Sequence, residues 1–350
     1  IPKLIAEIGC NHKGDINIAK KLVKIASDSG VDVVKFQKRN NKELLSDLEY
    51  NTPHPNPIHA YGDTYGTHRD FLEFSLDQHN ELKKFAQKMG VTYSTSVWDV
   101  TSAKEIISLE PTLIKVPSAC NNHFEMLKLL RDSYKGEVHI SFGMTTHDEE
   151  QDIISFFEER NEAKRLVLYA CTSGYPVQFD DVCMLEVVRI KRKFEGRVKA
   201  IGFSGHHLGI AVDLVAYALG AEWVERHFTL DRTWKGTDHS ASLEPTGLRK
   251  LARDLKAAHR SLTYKNEEIL ASDYSNTTYF EITGENKNHY LNKLTHFDLR
   301  LKKFPVSTMA QTLIARIDCC LYNLENKYIL SCHSSFEDHF KDRLQDAIDL

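Results

Sequence analysis

The sequence predicts an α/β protein whose residues 1–264 close into a (β/α)8 barrel, followed by a small C-terminal region of unrecognised fold over 265–350. Three observations carry this. Eight short apolar runs alternate with eight amphipathic stretches. Several of those runs are apolar almost throughout, as strands are when helices cover both faces of a sheet. Polar and charged residues collect at the carboxyl ends of the runs, where a barrel of this kind places its reactive groups. The count of eight favours a closed barrel over an open, doubly wound sheet.

The first strand is expected over 4–9 (LIAEIG). A helix over 16–29 follows, with Ile18, Ala19, Leu22, Val23 and Ala26 on one face and Gly30 as its stop. The second strand covers 31–37 (VDVVKFQ). A polar insertion rich in Asn, Pro, His and Tyr then runs over 38–70, and an excursion of that length is either disordered or functional. The alternation resumes with helix 77–89 and strand 91–98, helix 101–109 and strand 112–118, and helix 124–134 and strand 137–143. It continues with helix 149–160 and strand 165–173, helix 182–194 and strand 198–204, and helix 209–219 and strand 222–228, before a last helix over 245–262. In the tail, MAQTLIARIDCCLYNLE reads as helical and FEDHFKDRLQDAIDL as a charged end.

A chain of 350 residues with 41% hydrophobic content can bury a large core. Its 45 Lys+Arg against 49 Asp+Glu give a net charge of -4, which offers neither a basic nucleic-acid surface nor an electrostatic membrane anchor and points to small-molecule partners. Seven cysteines without CxxC spacing make neither a disulfide framework nor a zinc knuckle, and their odd number favours free thiols in the cytoplasm. No apolar run reaches about 18 residues, and the opening IPKLIAEIG reads as a strand rather than an export signal.

The strand ends supply the candidate site residues. In order, they are Glu7 with the loop residues Asn11 and His12, then Lys35 and Gln37, Thr95, Lys115 and Ser118, Ser141, and Thr172, Ser173 and Tyr175; the last two strands give His206, then Glu225 and His227. Lys35 and Lys115 interrupt apolar runs. One such lysine can snorkel to solvent. Two at equivalent positions, with hydroxyls at Thr95, Ser118 and Ser141, suit a phosphate or carboxylate. His206 and His227 end neighbouring parallel strands, so both imidazoles face one end of the barrel and can converge on a divalent cation, with Asp238 in the next loop. By contrast, His12, His68, His147, His207 and His239 read as solvated loop histidines. Tyr61 and Tyr65 of the insertion suit a packed lid as well as a substrate contact.

Several segments together resemble the sialic acid synthase family: AEIGCNHKGD, KFQ, YGTHRDFLEFSLDQHNEL, ISFGM, CTSGYP, GFSGH and ERHFTLDRTWKGTDHSASLEP, from residue 1 to about 262. The wording is especially similar to synthases of the animal type, which act on a 6-phosphorylated sugar, and bacterial relatives share much of it. The resemblance implies a cytoplasmic, homodimeric, phosphoenolpyruvate-dependent transferase. It would condense phosphoenolpyruvate with open-chain N-acetylmannosamine or its 6-phosphate, giving a nine-carbon 2-keto-3-deoxy acid and phosphate. By motif position, Mn2+ or Mg2+ would sit on His206 and His227, with Glu7 and Asp238 close by to orient sugar hydroxyls or the attacking water. Lys35, Gln37, Thr95, Lys115, Ser118 and Ser141 would surround phosphoenolpyruvate, while Ser173, Tyr175, Asp238 and Tyr65 would face the amino sugar.

Other readings share parts of this pattern. Legionaminic and pseudaminic acid synthases have the same barrel and chemistry, and relatives acting on shorter sugars add a metal-binding cysteine, for which Cys10 is the one candidate. A non-catalytic sugar-phosphate-binding barrel and a general metallohydrolase are the readings from other classes. The chain also departs from the family twice. It reads VPSACNN where the family has a GSGE or GSGD turn, so Cys120 or a gap replaces a carboxylate. Its tail does not resemble the family's antifreeze-like domain, whose arginine reaches into a partner's site, and Arg300 or Arg316 would have to stand in.

Overall fold

The computed structural model describes residues 1–263 and 277–349. Eight parallel strands close a barrel in sequence order: β1 (Lys3–Gly9), β2 (Val33–Lys38), β3 (Thr92–Val97), β4 (Leu113–Val116), β5 (Glu137–Ser141), β6 (Leu166–Cys171), β7 (Ala200–Gly205) and β8 (Trp223–His227). Closure is made by β1, which pairs in parallel with both β2 and β8 and sets Glu7 opposite Lys35 on one side and His227 on the other. The chain forms two compact units, Ile1–Leu262 and Thr263–Leu350. The boundary expected after residue 264 lies outside the described residues.

Local chemistry sets where the helices begin. The Asp15 side chain accepts the backbone N–H groups of Asn17 and Ile18 at the start of α1 (Ile16–Asp28), which buries Ala19, Leu22, Val23 and Ala26. The insertion is ordered, with α2 (Asn41–Leu44), α3 (Asp47–Asn51) and α4 (Tyr65–Leu72). Beyond it, capping boxes start α5 (Leu76–Lys88) at Ser75 and α8 (His147–Glu158) at Thr146, and Asp99 caps α6 (Val100–Ser108). The remaining barrel helices are α7 (Phe124–Ser133), α9 (Leu185–Phe194), α10 (Ala211–Ala218) and α11 (Pro245–Ser261), the last opened by a proline at its first position.

Inward-facing side chains are layered. Ile5, Val33, Leu113, Val167, Tyr169 and Ala200 fill the lower barrel with apolar bulk, with Trp223 packed against them. Two residues further along β1, β2, β4 and β8 come Glu7, Lys35, Lys115 and Glu225. The site therefore begins directly above a dry plug.

The insertion packs through its aromatic rings, Tyr61 on Phe71 at 5.0 Å and His54 on Tyr65 at 5.8 Å. It is tied to the loop after β8, where the Tyr61 hydroxyl donates to the Lys235 carbonyl and the Gly236 N–H donates to His59 Nδ1 at 3.2 Å. All seven cysteines are free thiols, and among the described residues no helix is long and apolar enough to cross a membrane.

Four of the five histidines expected in solvent, His12, His68, His207 and His239, are buried; only His147 is exposed. Aromatic stacking and polar partners explain this. His12 lies 4.0 Å from Phe74, and His239 Nδ1 is 2.7 Å from the Thr229 hydroxyl. Burial holds His12 and His79 down to about 3 and His139 to about 4. An unfolded chain titrates them near 6.5, so below that pH it takes up protons that the native state refuses. Stability is complete above this value and should fall as pH drops towards 4, by up to ~1.4 kcal/mol per pH unit for each histidine. Urea midpoints from pH 7.5 to 4.5 measure this, and a flat profile would show the three rings open to protons in the native state.

The second unit is an antiparallel sheet of order β10-β11-β12-β9, built from β9 (Thr277–Thr283), β10 (Thr308–Ile314), β11 (Ile317–Asn323) and β12 (Lys327–His333), with helices α12 (Lys287–Leu294) and α13 (Glu337–Asp349). The stretch expected to be helical is the β10-β11 hairpin. Its two-residue turn places Ala315 and Arg316 at φ 52° and 67°, the left-handed conformation that a tight hairpin requires. Neither residue is the Gly or Asn that usually announces such a turn. The charged end forms α13, whose Phe340 packs on Phe280.

Candidate active site at the carboxyl ends of the barrel strands

A recess of about 180 Å³ opens above the plug. Glu7, Lys35, Gln37, Lys115, Ser118, Ser141, Ser173, Tyr175, His206 and His227 line it, so ten of the thirteen side chains to which the resemblance gives a role converge. Three do not. Thr95 pairs across to Phe36 rather than to Lys35 or Gln37, and it points into the helix layer, where its hydroxyl is 3.0 Å from that of Tyr93. The inward position belongs to Ser96, whose Oγ accepts from Lys35 Nζ at 2.9 Å. Asp238 adjoins the recess, with Oδ2 3.9 Å from His227 Nδ1. Tyr65 stays in the insertion, its hydroxyl accepting from Arg69 Nε at 3.1 Å.

The floor is a chain of alternating charge. Gln37 Nε2 donates to Glu7 Oε1 at 2.7 Å, and Lys35 Nζ lies 2.8 Å from Glu7 Oε2 and 3.3 Å from Glu225 Oε2. Lys115 Nζ contacts both oxygens of Glu225 at 3.0 Å and lies 4.1 Å from the centre of the Tyr169 ring. Burial raises the Glu7 carboxyl despite the neighbouring Lys35. For Glu225 burial acts in the same direction, but Lys115 and Lys35 outweigh it and hold the carboxyl low. Burial likewise lowers Lys115 against the pull of Glu225, whereas Lys35, with two carboxylates, is raised.

The opposite wall is aromatic. His206 and His227 have ring centres 5.3 Å apart, and Tyr175 stands 4.4 Å from the first and 5.6 Å from the second. His206 Nδ1 donates to the Thr172 carbonyl at 3.0 Å, and although burial acts to lower this ring, neighbouring Cys171 and that carbonyl raise it. His227 Nδ1 is buried without a hydrogen-bond partner, and burial keeps the ring neutral, at about 3. Two imidazoles with a carboxylate beside them suit a divalent cation, and the orphaned nitrogen of His227 gives the pair a reason to hold one.

Behind this wall Arg226, fully buried on the outer face of β8, pairs with Asp213 and donates to the carbonyls of His207 at 2.6 Å and Gly209 at 2.8 Å. It thereby holds the turn that carries His206. Gly143 allows a close approach on the other side, because a Cβ there would lie 2.7 Å from the hydroxyl oxygens of both Ser118 and Ser173.

Cys120, where a carboxylate was expected, is buried, and burial pushes its thiol up to about 11, so it brings no negative charge. Cys10 does not line the recess either; its Sγ lies 3.7 Å from Gln37 Oε1 and Arg39 Nη1. A separate group, His147, Glu150 and Glu186, has ligand atoms within 4.8 Å of one another. Arg189 already holds Glu150 at 2.9 and 2.5 Å and Glu186 at 2.7 Å, so these carboxylates are satisfied. Residues lining the recess that had no expected role are Ser96, Trp98, Pro117, Ala119, Met144, Cys171 and Ser204, together with Glu225, which was noted at its strand end but given no task. Of these, Glu225 was legible in principle, since it stands two residues before His227 and shares its face.

Comparison with known proteins agrees with this geometry. Residues 254–349 match a model of the sarcosine oxidase gamma subunit family. The barrel is similar to N-acetylneuraminate-9-phosphate synthase of Homo sapiens, 37% identical over 268 residues that cover 76% of this chain and 73% of the relative. It is also similar to N,N'-diacetyllegionaminic acid synthase of Campylobacter jejuni, 34% identical over 74% of this chain and 77% of the relative. The crystal structure of N-acetylneuraminic acid synthetase from Leptospira borgpetersenii superposes with a TM-score of 0.67 at 27% identity, covering 79% of this chain and 91% of that one. With the NeuB family model matched over residues 22–268, through seven of the eight strands and the whole aromatic wall, the chain belongs to the NeuB family.

Proposed function

We propose that the barrel condenses phosphoenolpyruvate with the aldehyde of an open-chain N-acylhexosamine, N-acetylmannosamine or its 6-phosphate, to give a nine-carbon 2-keto-3-deoxy acid and inorganic phosphate. One observation carries the reading: a buried lysine pair and a buried histidine pair line the same recess. A cation pair suits the phosphate and carboxylate of one substrate, and a histidine pair suits activation of the carbonyl of the other. The names of the human and C. jejuni relatives support the same class of reaction, the second favouring a diamino sugar as the alternative acceptor.

In this mechanism Lys35 and Lys115, with Gln37, Ser96, Ser118 and Ser141, hold phosphoenolpyruvate. Ser173 and Tyr175 orient the sugar beneath the insertion that carries Tyr65. His206 and His227, beside Asp238, would hold Mn2+ or Mg2+, which would supply Lewis acidity to the aldehyde. The methylene carbon of phosphoenolpyruvate attacks the aldehyde carbon, water adds to the former enol carbon, and the carbon–oxygen bond to phosphate breaks. Glu7, whose raised pKa suits it to exchange a proton, and Asp238 orient the water and sugar hydroxyls. The lysines receive the departing phosphate. By resemblance, the working form is a cytoplasmic homodimer.

The test is phosphate release from phosphoenolpyruvate with Mn2+, offering N-acetylmannosamine, its 6-phosphate and the diamino-sugar precursors of legionaminic and pseudaminic acid in parallel. Release with one acceptor is expected and identifies it. No release with any of them, from folded protein that binds Mn2+, would overturn the reading in favour of a barrel that only binds sugar phosphates. Turnover without phosphoenolpyruvate would indicate a hydrolase.

A further inference from the structure

Glu225 is buried, and the mechanism above leaves it without a task. Its Oε1 accepts from Lys115 Nζ and from Ser204 Oγ, each at 3.0 Å, and its Oε2 lies 3.0 Å from Lys115 Nζ and 3.3 Å from Lys35 Nζ. Lys115 has no other carboxylate within ion-pair distance among the described residues, whereas Lys35 also has Glu7. The lysines rise from β2 and β4, with β3 between them, and the carboxylate reaches both from β8, two strand positions from β2 by way of the β1 closure.

We propose that Glu225 is a positioning residue that places the two lysines of the anion site. The inference rests on reading Lys35 and Lys115 as the groups that take the phosphate and carboxylate of phosphoenolpyruvate. Two buried ammonium groups repel each other, and each long side chain has several rotamers; without a carboxylate between them they would separate or lose charge. With Glu225 fixed by Ser204 on one oxygen and by a lysine on each side, both Nζ atoms are held at a set spacing before an anion arrives. The site is thus ordered in advance of binding.

The test compares the wild-type protein with Glu225→Gln, which keeps the shape but turns one acceptor oxygen into an amide N–H₂ facing an ammonium group. Phosphoenolpyruvate binding is measured by calorimetry without sugar, alongside KM, kcat and the melting temperature. Loss of affinity of at least tenfold is expected, with KM for phosphoenolpyruvate rising in step, a smaller fall in kcat and a melting temperature within a few degrees of wild type. Partial recovery in Glu225→Asp, which restores the charge on a shorter stem, is expected as well. Equal or tighter binding by Glu225→Gln would overturn the proposal, because Glu225 would then compete with the anion. A lower melting temperature with unchanged affinity would overturn it in favour of a purely structural role. Wild-type binding of inorganic phosphate separates the two levels of argument: if the wild-type protein binds neither phosphate nor phosphoenolpyruvate, the anion-site reading fails together with this one.

Discussion

His206→Ala or His227→Ala should lower phosphoenolpyruvate-dependent phosphate release at least about a thousandfold, the effect of removing several kcal/mol of carbonyl activation. The two rings form one wall with Tyr175, and Nδ1 of His227 is buried without a hydrogen-bond partner. His206 donates to the Thr172 carbonyl and His227 lies 3.9 Å from Asp238, so alanine should cost activity far more than stability. Rates with and without excess chelator, together with thermal melts, check this. A variant that keeps more than a tenth of the wild-type rate, or wild-type protein fully active in chelator, would remove the histidine pair from the reaction.

Arg226→Met should have the largest effect on folding, about 3–5 kcal/mol, because it removes one partner of a buried ion pair and leaves Asp213 with only His207 Nε2 at 3.4 Å in the helix layer. It also releases the carbonyls of His207 and Gly209, and with them the turn that presents His206. Urea unfolding gives the size of the effect. A second variant that also carries Asp213→Leu should recover much of the loss, since an apolar pair of similar volume removes the stranded charge. A loss below about 1 kcal/mol in the single variant would mean that the cluster is solvated in solution.

The barrel was legible because its signals are redundant: capping residues such as Asp15, Ser75 and Thr146 agree with the helical periodicity that follows them. Lys35 and Lys115 stood out as single charges in apolar strands. Thr95 was misplaced for the opposite reason. In TYSTSV every second residue is a small hydroxyl, so the phase of the strand is silent, and only the pairing of Phe36 with Thr95 reveals which side faces in. The buried histidines were misread because imidazoles near strand ends and loops look alike until their neighbours, Phe74 beside His12 and Thr229 beside His239, are known. In the C-terminal unit the Ala315-Arg316 turn hid a hairpin inside a pattern that also fits a helix.

The triplet Glu225-Arg226-His227 has a consequence for how the barrel finds its native register. Glu225 and His227 face the recess, and Arg226 faces the helices, where Asp213 meets it. A slip of β8 by one residue would exchange these compartments. The guanidinium would enter beside Lys35 and Lys115, while the carboxylate and the imidazole would be stranded among apolar helix faces. For most strands such an error trades one hydrophobic side chain for another and forms a competing state of nearly equal energy. Here the alternative is excluded by polar groups at three successive positions, two of them charged, so the strand that closes the barrel also selects against its own misalignment.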